Sequence, residues 1–172
     1  MADFVTQIGE SFVGSGPEAA HLNTVLGAKG GPVETAWATA LATPRAGHAA
    51  FVTILRPGVP AKPMTLFVNK AALVGPGHAG LTWGPAQAGV ASGVLWAVVD
   101  GVIEAGLVDD LLLIAAVWVA PEAADGALVY ENNRRATRDA LEAGARRTPT
   151  LAEALDVRDA PLNAYYLPPG VL

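Results

Sequence analysis

The stretch GESFVGSGPEAAHLNTVLGAKGGPVETAWA, residues 9–38 of 172, decides how the chain begins to fold. Two short apolar segments, residues 4–13 and 19–27, are bounded by glycines and joined by Gly14-Ser15-Gly16-Pro17, the composition of a turn between strands. Successive side chains on a strand point to opposite faces. The second strand therefore sends His21, Asn23 and Val25 one way and Leu22, Thr24 and Leu26 the other, which puts His21 and Asn23 at one pocket. His21 is the strongest functional lead here, because an imidazole gives or takes a proton near neutral pH. Pro32, followed by the early acid Glu34, opens a short helix to about Leu41, and Thr43-Pro44 closes it.

Working outward, residues 51–55 and 65–73 are two more strand candidates, separated by the proline-rich link 56–63. The period then changes. Over residues 86–105, Val90, Val94, Val98 and Val102 recur every four residues with Leu95, Val99 and Ile103 beside them, which predicts the main core helix, ending near Gly106. Residues 111–119 read as a fully buried strand. Residues 122–146 read as a surface helix, with Asp125 near its start and Arg146-Arg147 near its end complementing the helix dipole. The tail, residues 148–172, is rich in proline and polar residues but carries Leu151, Leu155, Tyr165, Tyr166 and Leu167, a pattern that predicts docking on the domain or on a neighbouring subunit. Together these elements predict an α/β domain of ordinary size.

Composition narrows the function classes. A net charge of -5, with no basic cluster beyond the pairs Arg134-Arg135 and Arg146-Arg147, argues against a nucleic-acid partner. Without cysteine there is no disulfide, no thiolate nucleophile and no cysteine-ligated metal. The opening MADFVTQIGE lacks the basic and apolar regions of a signal peptide, and the longest apolar run, residues 111–120, has about half the length a bilayer-spanning helix needs. The reading is a cytoplasmic protein with no membrane partner. His21, His48 and His78 show no close metal-ligand spacing, so no metal is expected. Residues 75–80, GPGHAG, match G-x-G-x-x-G formally, but no dinucleotide-type βαβ unit surrounds them and Trp83-Gly84-Pro85 interrupts any following helix. They read as a loop.

Several ordered motifs carry a resemblance: VGSGPEAAH at 13–21, VLGAKGGPVETAWA at 25–38, KPMTLFVNK at 62–70, GPAQAGVA at 84–91, and the strand after Asp109-Asp110 leading to PEAADGA at 121–127. Collinear and almost without gaps from about Gly9 to about Gly144, they resemble the formaldehyde-activating enzyme family. The resemblance implies a two-layer α/β fold similar to the second domain of ribosomal protein S5, a mixed sheet packed on helices, over residues 1–147, with 148–172 as a C-terminal tail. It implies a carbon-oxygen hydro-lyase that condenses formaldehyde with tetrahydromethanopterin to methylene-tetrahydromethanopterin and water. The setting would be one-carbon metabolism, formaldehyde detoxification and methylotrophy. It further implies no metal and no covalently bound cofactor, the pterin being a co-substrate, and a homopentamer with sites between subunits.

Carried over residue by residue, His21 takes the family's proton-donor role, and Val52, Lys70 and Gln87 fall at substrate-contacting positions, Val52 replacing a leucine. Two contacts depart from the pattern. Asn23 stands where the family has an aspartate and Ala72 where it has a threonine. Asn23 hydrogen-bonds but carries no charge to orient His21, and Ala72 has no hydroxyl. These departures point to a diverged paralogue, whose alternatives are a different pterin or amine substrate, or a non-catalytic pentamer that binds formaldehyde or a pterin. Plainer readings stand beside each role: His21 as a packed strand residue, Lys70 as a solvated edge charge, Gln87 as a helix cap, and the four tryptophans as core or subunit-interface residues.

Overall fold

The computed structural model describes residues 4–163 and residue 166. Strands β1 (Gln7–Val13) and β2 (Ala20–Ala28) form the expected antiparallel hairpin, joined through a single 3-10 turn, and helix α1 (Pro32–Ala42) follows. Next come β3 (Phe51–Val52), β4 (Ile54–Arg56), β5 (Val59–Pro60) and β6 (Met64–Asn69), then α2 (Gly75–Leu81) and α3 (Gln87–Val99). β7 (Leu111–Trp118), α4 (Gly126–Arg146) and α5 (Leu151–Asp156) complete the order. The main sheet runs β1-β2-β7-β6-β3, with β7 antiparallel to β2 and parallel to β6, so it is mixed. β4 and β5 pair apart from it.

Register sorts the sheet into two faces. Leu22, Thr24 and Leu26 stand beside Val117, Ala115 and Leu113, which stand beside Asn69, Phe67 and Thr65, and all of these are buried. Against them pack Val90, Val94 and Ala97 of α3 and Val129, Ala136, Ala140 and Leu141 of α4. The buried positions of α4 recur every three or four residues, the stripe of a helix with one apolar side. Asp125 caps that helix by accepting from the N–H groups of Ala127 and Leu128. α4 approaches β1 so closely that a Cβ on Gly9 would stand 1.7 Å from the Ala140 carbonyl oxygen; only glycine fits there.

The second face carries Ile8, Glu10 and Phe12 of β1, His21, Asn23 and Val25 of β2, and Ile114, Ala116 and Trp118 of β7. α1 covers β2 and β7 at one end of this face, where a Cβ on Gly27 would meet Val33 Cγ2 at 2.4 Å. The end bearing His21 stays open. β7 is therefore buried toward the helices but only half-buried at Ile114, Ala116 and Trp118, which corrects the reading of a fully buried strand.

Other boundaries move for identifiable reasons. Residues 75–80, expected as a loop, form most of α2, and Trp83-Gly84-Pro85 does not break the rod. Pro85 has no N–H to give, and in an α-helix its ring would collide with the carbonyl four residues back. The backbone answers with a π-turn over Thr82–Ala86, in which the Gln87 N–H reaches back five residues to the Thr82 carbonyl, and the helix continues as α3. α3 ends at Val99 rather than near Ala105, the N–H groups of Val102 and Ile103 folding back onto the Ala97 carbonyl. Val99, expected in the apolar stripe, is 83% exposed. The expected strand 51–55 divides into β3 and β4, β4 turning back to pair with β5 inside the link 56–63, and β6 stops at Asn69. In the tail, α5 carries a Thr150–Glu153 capping box, but residues 148–163 are exposed and do not dock on the domain. Tyr165 and Leu167 lie outside the described residues.

Candidate active site

The open end of the second face is a recess of about 310 Å3 lined by Phe12, His21, Asn23, Lys70 and Trp118. Strand register assembles it. Phe12 lies opposite His21, which lies opposite Trp118; one row along, Glu10, Asn23, Ala116 and Val68 stand side by side. Lys70 follows directly on β6, its N–H donating to the Val117 carbonyl at 2.7 Å, so the strand's last hydrogen bond fixes where the long side chain starts. The hairpin turn and the β6/β7 pairing thus bring together residues 21, 23 and 70.

Two polar pairs occupy the recess. His21 Nε2 lies 3.1 Å from Glu10 Oε1 across the hairpin, with the imidazole side chain 40% exposed and its ring tilted against Phe12 at 5.9 Å between centroids. A carboxylate only accepts, so Nε2 carries the proton in this contact and Nδ1 is the nitrogen left for exchange with a ligand. Lys70 Nζ donates to Asn23 Oδ1 at 2.7 Å. Burial pushes the Lys70 ammonium below the ordinary lysine range, and the negative charge of Glu10 opposes that shift. The arrangement sets an imidazole and an amine, both partly exposed, on one largely apolar floor, where they could exchange protons with a bound molecule.

The remaining predicted contacts lie elsewhere in the same chain. Val52 shares the second face but pairs with Leu66, on the far side of β7 and β6 from His21 and several residues along the strands. Ala72 is exposed in the turn after β6, against Gly47. Gln87 opens α3 on the helix layer, nearly buried, its Oε1 accepting the Ile54 N–H at 2.5 Å. It ties β4 to the helix rather than capping its own turn.

Glu10 and Phe12 escaped the sequence reading, and Trp118, read as core or interface, is part of the recess lining. Carrying the alternation across the Gly14–Pro17 turn puts Glu10 and Phe12 on the face of Asn23 and His21, a signal already present in the hairpin pattern. His78 is buried and fully engaged: Nδ1 accepts from the Val74 N–H at 3.1 Å, so Nε2 donates to the Val119 carbonyl at 3.0 Å. Among the described residues no group of three or more His, Asp or Glu side chains is placed to hold a metal ion.

A mixed sheet backed by helices on one face, with an imidazole–carboxylate pair and a half-buried amine lining a recess on the other, defines a small α/β protein with groups able to exchange protons at one site. The family model for the formaldehyde-activating enzyme matches residues 8–166, and the chain belongs to that family. It is 41% identical over 155 residues to the 5,6,7,8-tetrahydromethanopterin hydro-lyase of Methanosarcina barkeri, covering 90% of this chain and 87% of that one. It is also similar to longer proteins named bifunctional enzyme Fae/Hps: that of Methanosphaera stadtmanae is 36% identical over 159 residues, and that of Methanosarcina acetivorans is 38% identical over 150. The aligned part is 92% and 87% of this chain but only 39% and 38% of those relatives.

Proposed function

We propose that this chain condenses formaldehyde with tetrahydromethanopterin to methylene-tetrahydromethanopterin and water, as a carbon-oxygen hydro-lyase with His21 as its general acid. The observation that carries the reading is the His21–Glu10 pair at the edge of a recess shared with Asn23 and Lys70, in a chain of this family. A pterin amine adds readily to formaldehyde, but the hydroxymethyl group so formed must lose hydroxide, a poor leaving group until protonated. With Nε2–H held by Glu10, the imidazolium delivers its proton from Nδ1 to that hydroxyl, and water departs. Positioned acids of this kind contribute roughly a hundredfold to ten-thousandfold.

Asn23 and Lys70 present polar atoms to the heterocycle, while Phe12 and Trp118 give its ring an apolar surface. Val52, Ala72 and Gln87 lie outside the recess of their own chain, which supports a pocket completed by a neighbouring copy in a homopentamer. The catalytic unit is read as residues 1–147, of the kind seen in the second domain of ribosomal protein S5, with 148–172 as a tail. No helix among the described residues is long and apolar enough to cross a membrane. The proposed setting is the cytoplasm, in one-carbon metabolism, formaldehyde detoxification and methylotrophy.

The test is the rate of methylene-pterin formation from formaldehyde with tetrahydromethanopterin and, in parallel, with tetrahydrofolate. The expected result is acceleration over the spontaneous reaction with tetrahydromethanopterin and little with tetrahydrofolate. Acceleration confined to tetrahydrofolate would assign the site to a different pterin.

A further inference from the structure

The recess contains a nucleophile as well as an acid. The chain has three lysines, Lys29, Lys62 and Lys70. The first two are exposed and held by Asp109: Lys29 Nζ donates to its backbone carbonyl and Lys62 Nζ to its carboxylate. Lys70 differs in both surroundings and partner. Its amine is half-buried on the apolar floor of the site, and its hydrogen-bond acceptor is the neutral amide oxygen of Asn23. Among the described residues no carboxylate pairs with it directly; Glu10 acts on it only through space. An amide accepts an N–H from ammonium and from neutral amine alike, whereas a carboxylate would hold the ammonium form. Asn23, standing where the family pattern has an aspartate, therefore leaves the Lys70 lone pair accessible.

We propose that Lys70 is a covalent relay for formaldehyde, capturing it through Nζ and passing its carbon to the pterin, with His21 moving the protons. The inference rests on the formaldehyde-condensing function proposed above, and moves the loss of water from a pterin hydroxymethyl group to a Lys70 carbinolamine. In the first step the Nζ lone pair forms a bond to the formaldehyde carbon, the carbonyl π electrons move to oxygen, and one proton passes from nitrogen to that oxygen, giving a carbinolamine. His21 imidazolium then protonates the hydroxyl; the C–O bond breaks, water leaves, and the nitrogen lone pair forms a methyleneiminium. One pterin amine attacks the methylene carbon, the C=N π electrons return to Nζ, and the pterin nitrogen gives its proton to His21. That proton next goes to Nζ, which departs as neutral amine while the pterin nitrogen forms the C=N bond. The second pterin amine closes the methylene bridge and returns a proton to His21. One formaldehyde and two N–H groups become one methylene bridge and one water, and Lys70 and His21 end as they began.

His21 and Lys70 start from one cross-strand row with only β7 between them, a separation of about 10 Å at the backbone, and both side chains reach into the same recess. Trp118 of β7 stands in that row between them and forms part of the same lining.

The experiment uses the full chain with formaldehyde alone, reduction by borodeuteride, and peptide mass spectrometry. A methyleneiminium is trapped as monodeuteromethyl-lysine, and the two Asp109-held lysines are internal controls. The expected result is labelling of Lys70 about tenfold faster than of Lys29 or Lys62. Asn23→Asp should remove that preference, and Lys70→Arg should slow methylene-pterin formation even with saturating substrates. Labelling of Lys70 no faster than of the controls, or a Lys70→Arg protein that retains the full rate, overturns the relay. Because trapping needs no pterin, preferential Lys70 labelling in a protein that fails to accelerate the pterin reaction would refute the proposed function while leaving capture by Lys70 standing. Acceleration without such labelling would refute the relay alone.

Discussion

Glu10 and Lys70 define the site at the scale of single residues, one by holding His21 and the other by its half-buried amine. Glu10→Gln keeps a hydrogen-bond acceptor opposite His21 Nε2 but removes the negative charge, so kcat should fall by roughly tenfold with KM little changed. Steady-state kinetics check this, and Glu10→Ala should lose more because the ring is then unheld. An equal rise in KM with kcat intact would make Glu10 a binding residue instead. For Lys70, the sign follows from its surroundings: burial disfavours the ammonium, so its neutral amine is present at lower pH than that of an exposed lysine. Formaldehyde trapping at Lys70 should accordingly persist as pH is lowered after trapping at Lys29 and Lys62 has faded, and coincident pH profiles for the three would contradict it. His21 and Asn23 were legible in the sequence as neighbours because strand alternation fixes their face. Lys70 was named through the family resemblance, but its contact with Asn23 required knowing that β6 lies beside β7, and Glu10 was missed although the hairpin alternation carries it.

Among the elements, the hairpin, α1 and α4 follow their sequence signals closely: glycine-bounded apolar runs, a proline at the first helical turn, and an Asp125 cap ahead of a regular apolar stripe. The rod from α2 to α3 does not. Glycine, proline and tryptophan in residues 75–85 spell a loop locally, but the π-turn that accommodates Pro85 carries the helix through beside α4, against that propensity. The contact of β1 with α4 gives the sharpest test of the layer arrangement. Gly9→Ala would drive a Cβ into the Ala140 carbonyl, a backbone atom that cannot swing aside. We expect a loss of about 3 kcal/mol in denaturant unfolding, at the upper end for overpacking. A loss below ~0.5 kcal/mol would mean that the helix and strand are less tightly apposed.

For the whole molecule, the proposal of a shared pocket follows from placement: Val52, Ala72 and Gln87 lie outside the recess of their own chain, and Phe12 and Ile8, further along β1, leave apolar side chains exposed on the face that carries His21. These three positions and the assembly came from the family resemblance, because the alternation of apolar and polar residues along one chain says nothing of a neighbouring copy. Light scattering should return a homopentamer at micromolar concentration, and a stable monomer with full activity would contradict the shared pocket. The proposed reaction depends most on His21 as the acid that expels water. The direct measurement is methylene-tetrahydromethanopterin formation by wild type and His21→Ala, with fold and assembly verified for both. We predict that the variant loses about a hundredfold or more of the rate above the spontaneous reaction. A variant as fast as wild type would contradict it.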